Sequence, residues 1–365
     1  MFPEMQLWLK IVLALVVAII LAFATTPPVK RFAEKVGAID VPKDARRVHK
    51  KPIPRMGGMA IFIGFLLAVV LFAEIDKSLR GTLIGCLIIV ATGAIDDIKP
   101  MKWWVKLICQ VVAAIVAVAH GVVINVLFNP NILSDNTNLL LGSLSIPVTI
   151  IWIVAITNAV NLIDGLDGLA CGVSCISSIT MLVVALILSE GNIAVVLAAL
   201  VGACIGFLPY NANPAKIFMG DTGALLLGFA LSTISVSAMF KFYAIITFVV
   251  PMLAMALPLF DTLFAIIRRL LKGQSPMTPD RGHLHHRLID MGLSQKQAVA
   301  ILYCLSAVLG LTAVVINTHG PLRITLLIAE LLLAVFIGFF VKSQIEHPAN
   351  NPHKEESKPS SEPTE

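Results

Sequence analysis

This sequence predicts an all-α, polytopic integral membrane fold of about eleven transmembrane helices, with the N-terminus outside and the C-terminus in the cytoplasm. Three observations carry that reading. Of 365 residues, 58% are apolar and only 13% charged, about half the charged share of a soluble domain, and mean hydropathy is +0.90. The apolar residues fall in runs long enough to cross a hydrocarbon core, which takes roughly 17–25 residues per helix. The cations crowd into alternate breaks between those runs, 22 of 27 Lys and Arg lying on one side. Soluble, disordered, collagen-like and disulfide-scaffold classes are excluded.

The runs fall near 7–25, 57–73, 81–95, 105–124, 144–161, 168–189, 191–208, 222–239, 242–267, 297–316 and 322–341. The first reads as a span and not as a cleaved signal. Ala22-Phe23-Ala24 resembles a cleavage site, but only Glu4 precedes Lys10, so the basic stretch that opens a signal is absent. Positive loops stay in the cytoplasm. Segments 26–56, 96–106, 162–167, 209–221, 268–296 and 342–365 hold the 22 cations, while Lys77, Arg80, Lys241 and Arg323 face the other side and Lys10 lies in the first span. Residues 1–346 thus read as one membrane unit and 347–365, rich in Pro, Ser, Glu and Lys, as a disordered cytoplasmic tail. Cysteines 86, 109, 171, 175, 204 and 304 lack paired metal-ligand spacing and read as small buried hydrophobes. Gly81/Gly85, Gly168/Gly172 and Gly202/Gly206 give the small-xxx-small spacing that lets helix backbones approach.

By this topology 16 of the 22 acids are cytoplasmic, and six sit at helix ends: Asp96, Asp97, Asp164, Asp167, Asp221 and Asp261. A charge near the bilayer is costly and marks function by default. Solvated loop charge or dipole pairing is the plainer alternative, and it suffices for Asp221 at a helix start. It does not suffice for Asp96 and Asp97, adjacent anions at a helix C-terminus that need a cation or proton to relieve them. Asn158, Asn161, Asp164 and Asp167 recur every third residue, close to one helical face, with Gly165 and Gly168 free to turn or to approach a ligand. Oxygen donors at that density suit Mg²⁺, which prefers carboxylates, waters and substrate phosphates to a closed protein cage. Phe218-Met219-Gly220-Asp221-Thr222-Gly223 reads as a loop into a helix, whose free N–H groups can receive phosphate while Asp221 holds a metal.

The last large inner loop carries Arg281, His283, His285, His286 and Arg287. No Cys or spaced fourth ligand accompanies the histidines, which argues against zinc. A cationic, hydrogen-bonding surface for phosphate or sugar hydroxyls fits, and so does attraction to the membrane surface.

Taken in order, these motifs resemble those of the polyprenyl-phosphate N-acetylhexosamine-1-phosphate transferases, over residues 37–291. Gly37 to Pro42, His49 and Pro54-Arg-Met-Gly57-Gly58 look like the family's first inner loop. Asp96-Asp97 with Lys106, Asn158 to Gly168, and Phe218 to Gly223 look like its aspartate-pair, Asn/Asp-Gly and Met-Gly-Asp motifs. Met101-Lys102 depart from the usual Leu-Ser, and Trp103 and Trp104 after them suit a membrane interface. His283-Leu-His285-His286 looks like the branch that uses UDP-N-acetylglucosamine, whereas the phospho-MurNAc-pentapeptide branch of peptidoglycan synthesis carries three consecutive His.

The resemblance implies a bacterial plasma-membrane enzyme with a cytoplasmic active site. It would transfer N-acetylglucosamine 1-phosphate from UDP-GlcNAc to undecaprenyl phosphate, releasing UMP and initiating teichoic acid or another envelope polysaccharide. It further implies Mg²⁺ (or Mn²⁺) on Asp221, supported by Asp164 and Asp97, with Asp96 as base toward the lipid phosphate. Asn158, Asn161, Asp167, Lys106, Arg281, His283, His285 and His286 would bind substrate. The partners are then the two substrates and the bilayer, with no nucleic acid, and a homodimer is compatible. A secondary transporter would instead cluster ionisable groups at the bilayer midplane with repeat symmetry, and no internal repeat is seen. A lipid-pyrophosphate phosphatase would use the same residue types with water as acceptor.

Overall fold

The computed structural model describes residues 6–42, 52–128, 138–238, 251–271, 273, 283–318 and 320–346. Within them the chain runs α1 (Leu7–Val36), α2 (Gly58–Phe72), α3 (Lys77–Ile98), α4 (Trp103–Ala119), α5 (Ser145–Leu162), α6 (Leu169–Ile187), α7 (Gly191–Asn211), α8 (Gly220–Ala238), α9 (Ala256–Leu271), α10 (Leu284–Asp290), α11 (Gln295–Ile316) and α12 (Gly320–Glu346). Among these, α1, α3, α5, α6, α7, α8 and α11 are long and apolar enough to cross a membrane, and α2 and α4 are shorter apolar helices. His49, Arg281, the start of the ninth expected span and the 347–365 tail lie outside the described residues.

The first helix outruns its expected end at residue 25. It continues through Pro27 and Pro28 to Val36, and the hydroxyls of Thr25 and Thr26 donate back to Leu21 and Ala22 carbonyls just before that pair. Its stop is written in sequence: Gly37 adopts φ 76, Ala38 N–H reaches the Ala33 carbonyl and Gly37 N–H that of Glu34, a Schellman arrangement. Helix α3 starts earlier than expected because Asp76 caps it, its carboxylate accepting from Leu79 N–H. The all-helical expectation misses two small antiparallel ladders, β1 (Ile39–Asp40) with β2 (Ile53–Pro54) and β3 (Val126–Phe128) with β4 (Asn138–Leu140).

Helix α8 is buried along nearly its whole length, against α3 and α5, with α2, α6 and α7 also touching it. All three small-residue pairs find close partners: Gly202 and Gly206 of α7 meet the Leu15 and Ile19 carbonyls of α1, Gly81 and Gly85 meet the His120 side chain and the Phe229 ring, and Gly168 and Gly172 meet the Tyr303 hydroxyl of α11. Apolar area does not drive helices together in lipid, so such close approach and polar contacts between helices do that work. Four of the cysteines are buried, Cys109 and Cys304 are half-buried, and all are free thiols.

Candidate active site at one end of the helix bundle

The α5–α6 turn, the end of α7, the start of α8 and the histidine loop meet around a polar cavity of about 370 Å³, and the end of α3 packs behind it. Asp221 enters it from the first turn of α8. What aims Asp221 is Asp97, whose side chain is fully buried. One carboxylate oxygen accepts from Asp221 N–H (3.0 Å), and the other from Thr222 N–H (3.1 Å) and Thr222 Oγ1 (2.6 Å). Asp97 thus supplies the anion that the exposed N–H groups of a helix start attract, although it comes from another helix.

The fit is close because side chains are missing where backbones cross. A Cβ on Gly220, which sits at φ 71, would strike the Asp97 carboxylate, and one on Gly93 would strike Thr222. A Cβ on Gly58 would overlap Gly223. The approach to α8 is held to the 54–58 segment by three backbone bonds, Phe218 N–H to Pro54, Gly57 N–H to Phe218 and Gly58 N–H to Met219.

Two cations stitch the acids together. Lys106 Nζ lies 2.9 Å from Asp221 and 3.3 Å from Asp96. Asp96 also accepts from Met101 N–H at 2.7 Å, closing the turn between α3 and α4. The Arg55 guanidinium lies 3.0 Å from Asp97 and 3.5 Å from Asp221. In the sequence Arg55 stands in the first inner-loop motif without an assigned role, and no local signal separates it from the other cations there. Its place is set by the turn at Met56, which adopts φ 84, rare outside glycine.

The fourfold Asn/Asp repeat does not share one helical face as expected. Helix α5 ends at Leu162 and the chain turns through Gly165 and Gly168, the latter at φ 79. Asn158 stays behind in the helix, its amide donating to Gln110 of α4 (2.5 Å) away from the cavity. Asn161, Asp164 and Asp167 do line the cavity. Asp167 is tied to the far wall by Asn213 Nδ2 (2.9 Å) and Ala215 N–H (3.1 Å). Burial pushes the Asp164 carboxyl up to about 7, with Asp221, Asp97 and Asp167 adding to the shift and Arg55 opposing it.

From the histidine loop, His286 lines the cavity. His283 and His285 are buried behind it, and burial, with the neighbouring His286, holds the His285 imidazole down at about 4, neutral at physiological pH. Asn211, only 3% exposed, borders the cavity, and its amide Nδ2 donates to the Ile217 carbonyl at 3.2 Å, which holds the end of α7 to the segment leading into α8.

The donor set fits magnesium held in part by the protein. Asp221 and Asp164 present carboxylates to the cavity, whereas every contact of Asp97 is already taken up by α8 and Arg55. Mg²⁺ takes one or two protein carboxylates and completes its shell with waters and substrate phosphates; among the described residues no three His, Cys, Asp or Glu form a metal-holding group.

The chain is similar to known proteins over most of its length. Residues 79–239 match glycosyl transferase family 4. The chain is 41% identical over 337 residues to the probable undecaprenyl-phosphate N-acetylglucosaminyl 1-phosphate transferase of Bacillus subtilis (strain 168), covering 91% of this chain and 89% of that one. It is 37% identical over 314 residues to the decaprenyl-phosphate N-acetylglucosaminephosphotransferase of Mycobacterium tuberculosis (strain ATCC 25618 / H37Rv), covering 78% and 77%. With the undecaprenyl-phosphate alpha-N-acetylglucosaminyl 1-phosphate transferase of Escherichia coli (strain K12) it shares 28% identity over 320 residues, 86% of each chain.

Proposed function

The chain belongs to glycosyl transferase family 4, and on that footing we propose that it transfers N-acetylglucosamine 1-phosphate from UDP-GlcNAc to undecaprenyl phosphate, giving undecaprenyl-pyrophosphoryl-GlcNAc and UMP. It is a multi-pass membrane protein, and the distribution of cations supports placing the cavity at the cytoplasmic face. The observation that carries the reading is the pair of carboxylates, Asp221 and Asp164, that enter one cavity beside Arg55 and Lys106.

In this reaction a phosphate oxygen of the lipid attacks the β-phosphorus of the donor and the P–O bond to UMP breaks. Both reactants are anions, so neutralising and aligning them is the main task. Bound Mg²⁺, held by Asp221 and Asp164, would supply charge neutralisation for the diphosphate. Arg55 and Lys106 hold Asp221 in place and bring two positive charges to the wall where the phosphates meet. Asn161 and Asp167 would hold the nucleotide, and His286 the sugar-phosphate end.

Asp97 serves the metal indirectly, by aiming α8. Asp96, expected as the base, is occupied with Met101 N–H and Lys106. Little base is required, because a phosphate monoester with second pKa near 6 is largely dianionic at pH 7. The test is UMP release from UDP-GlcNAc by purified protein with and without undecaprenyl phosphate and Mg²⁺. Lipid-dependent release is expected. Release without lipid would point to hydrolysis, and none under any condition would sink the reading.

A further inference from the structure

Asp261 lies on α9, behind the cavity. Pro258 in that helix has no N–H to offer the Ala254 carbonyl four residues back, and Ser177 Oγ of α6 donates to that carbonyl instead. Three residues on, the Asp261 side chain is 8% exposed and faces the histidine loop. Its Oδ2 is 3.0 Å from His283 Nδ1, and its Oδ1 accepts from Leu284 N–H at 2.8 Å. A carboxylate accepts only, so His283 carries its proton on Nδ1.

The effect of this anchor passes along the loop. The His283 and His285 rings stack with centroids 5.7 Å apart and 13° between planes, and His285 meets His286 at 4.3 Å. A Cβ on Gly165 would land on the His285 imidazole. The histidine array therefore docks into the space left by a glycine between Asp164 and Leu166, both of which line the cavity. One carboxylate of α9 thereby sets where the cavity's imidazole wall stands relative to its aspartates.

We propose that Asp261 is a positioning residue for the sugar-nucleotide half of the site: it holds His283 and the start of α10 so that the array packs on Gly165 and His286 faces the donor. Asp261 touches no substrate. The claim rests on the transferase reading for its kinetic consequence, and on the contacts alone for its structural one.

The test uses full-length protein in detergent, with UMP release measured against each substrate at saturation of the other. Asp261→Asn keeps an acceptor for Leu284 N–H but turns an amide toward His283. It is expected to raise the UDP-GlcNAc KM about ten-fold, as loss of a histidine-orienting partner commonly does, with the lipid KM within about two-fold. Gly165→Ala, which pushes the array off from the opposite side, should give the same split, and keeps the question answerable if Asp261→Asn does not accumulate. Unchanged donor KM in folded variants, or equal changes in both KM values, overturns the proposal. If the wild type releases no UMP at all, the transferase reading falls and the array is still tested by carbethoxylation of His285 with diethyl pyrocarbonate. That modification should be slow in the wild type and several-fold faster in Asp261→Ala, and an equal rate overturns the anchor.

Discussion

Asp221 lines the cavity and Asp97 is buried beside it, and their surroundings give them different work. Asp221 reaches the cavity, so Asp221→Ala should lower UMP release by at least about 10²-fold while the protein still inserts, as size-exclusion profiles will show. Arg55→Ala leaves two neighbouring carboxylates without their shared cation and should cost about 1–3 kcal/mol of stability together with most of the activity. A thermal melt beside an assay separates the two effects. Burial pushes the Asp164 carboxyl up to about 7, far above its unfolded value. Its ionisation therefore costs stability increasingly as pH rises from about 4 to 7. Asp164→Asn should be inactive yet gain stability over the wild type across that window, the gap closing below pH 4. The acids were visible in the sequence as charges at helix ends. Arg55 was not, because a single arginine in a cationic loop looks like its neighbours until Met56 turns the chain and presses it on Asp97.

At the scale of elements, the start of α8 decides the site. Its N–H groups are satisfied from α3, and its backbone is crossed by α2 and α3 at glycines. Thr222→Val removes the hydroxyl bond to the Asp97 carboxylate and should cost about 1.5–3 kcal/mol. Gly93→Ala, which sets a methyl on a rigid backbone, should cost about 1–3 kcal/mol or more. Melting temperatures in detergent measure both, and a Gly93→Ala protein as stable as the wild type would contradict the described crossing. The glycines were legible as spacing, but their partners were not. Sequence periodicity says that a helix has a small-residue stripe and leaves open which of eleven expected helices fills it. The turn after α5 taught the same lesson: Asn158 shares a spacing with Asp164 and Asp167 but not a place, since Gly165 and Gly168 end the helical register between them.

For the whole molecule, the site occupies one end of the bundle, and a membrane separates that end from the other. If the cavity is cytoplasmic, a cysteine placed at Lys216 beside it should resist an impermeant maleimide in intact cells, whereas one at Lys77 should react. The reverse pattern would invert the topology. His285 gives the fold an acid limit from this end. It is held neutral when folded, down to about 4, but titrates near 6.5 when unfolded. Its contribution is present above pH 6.5 and is lost as pH falls toward 4. In the Asp164→Asn background, where the opposing carboxyl is gone, stability should rise from pH 4 to 6.5, as denaturation midpoints will record. The sequence by itself determined the solvent, the class of fold and the residue types of the chemistry, because hydropathy, charge and motif spacing are properties of the chain. Only the tertiary structure decided which aspartate faces the cavity, which one caps a helix and which one orients a histidine. Those roles depend on who stands within about 3 Å, and that is settled by the packing of helices distant in sequence.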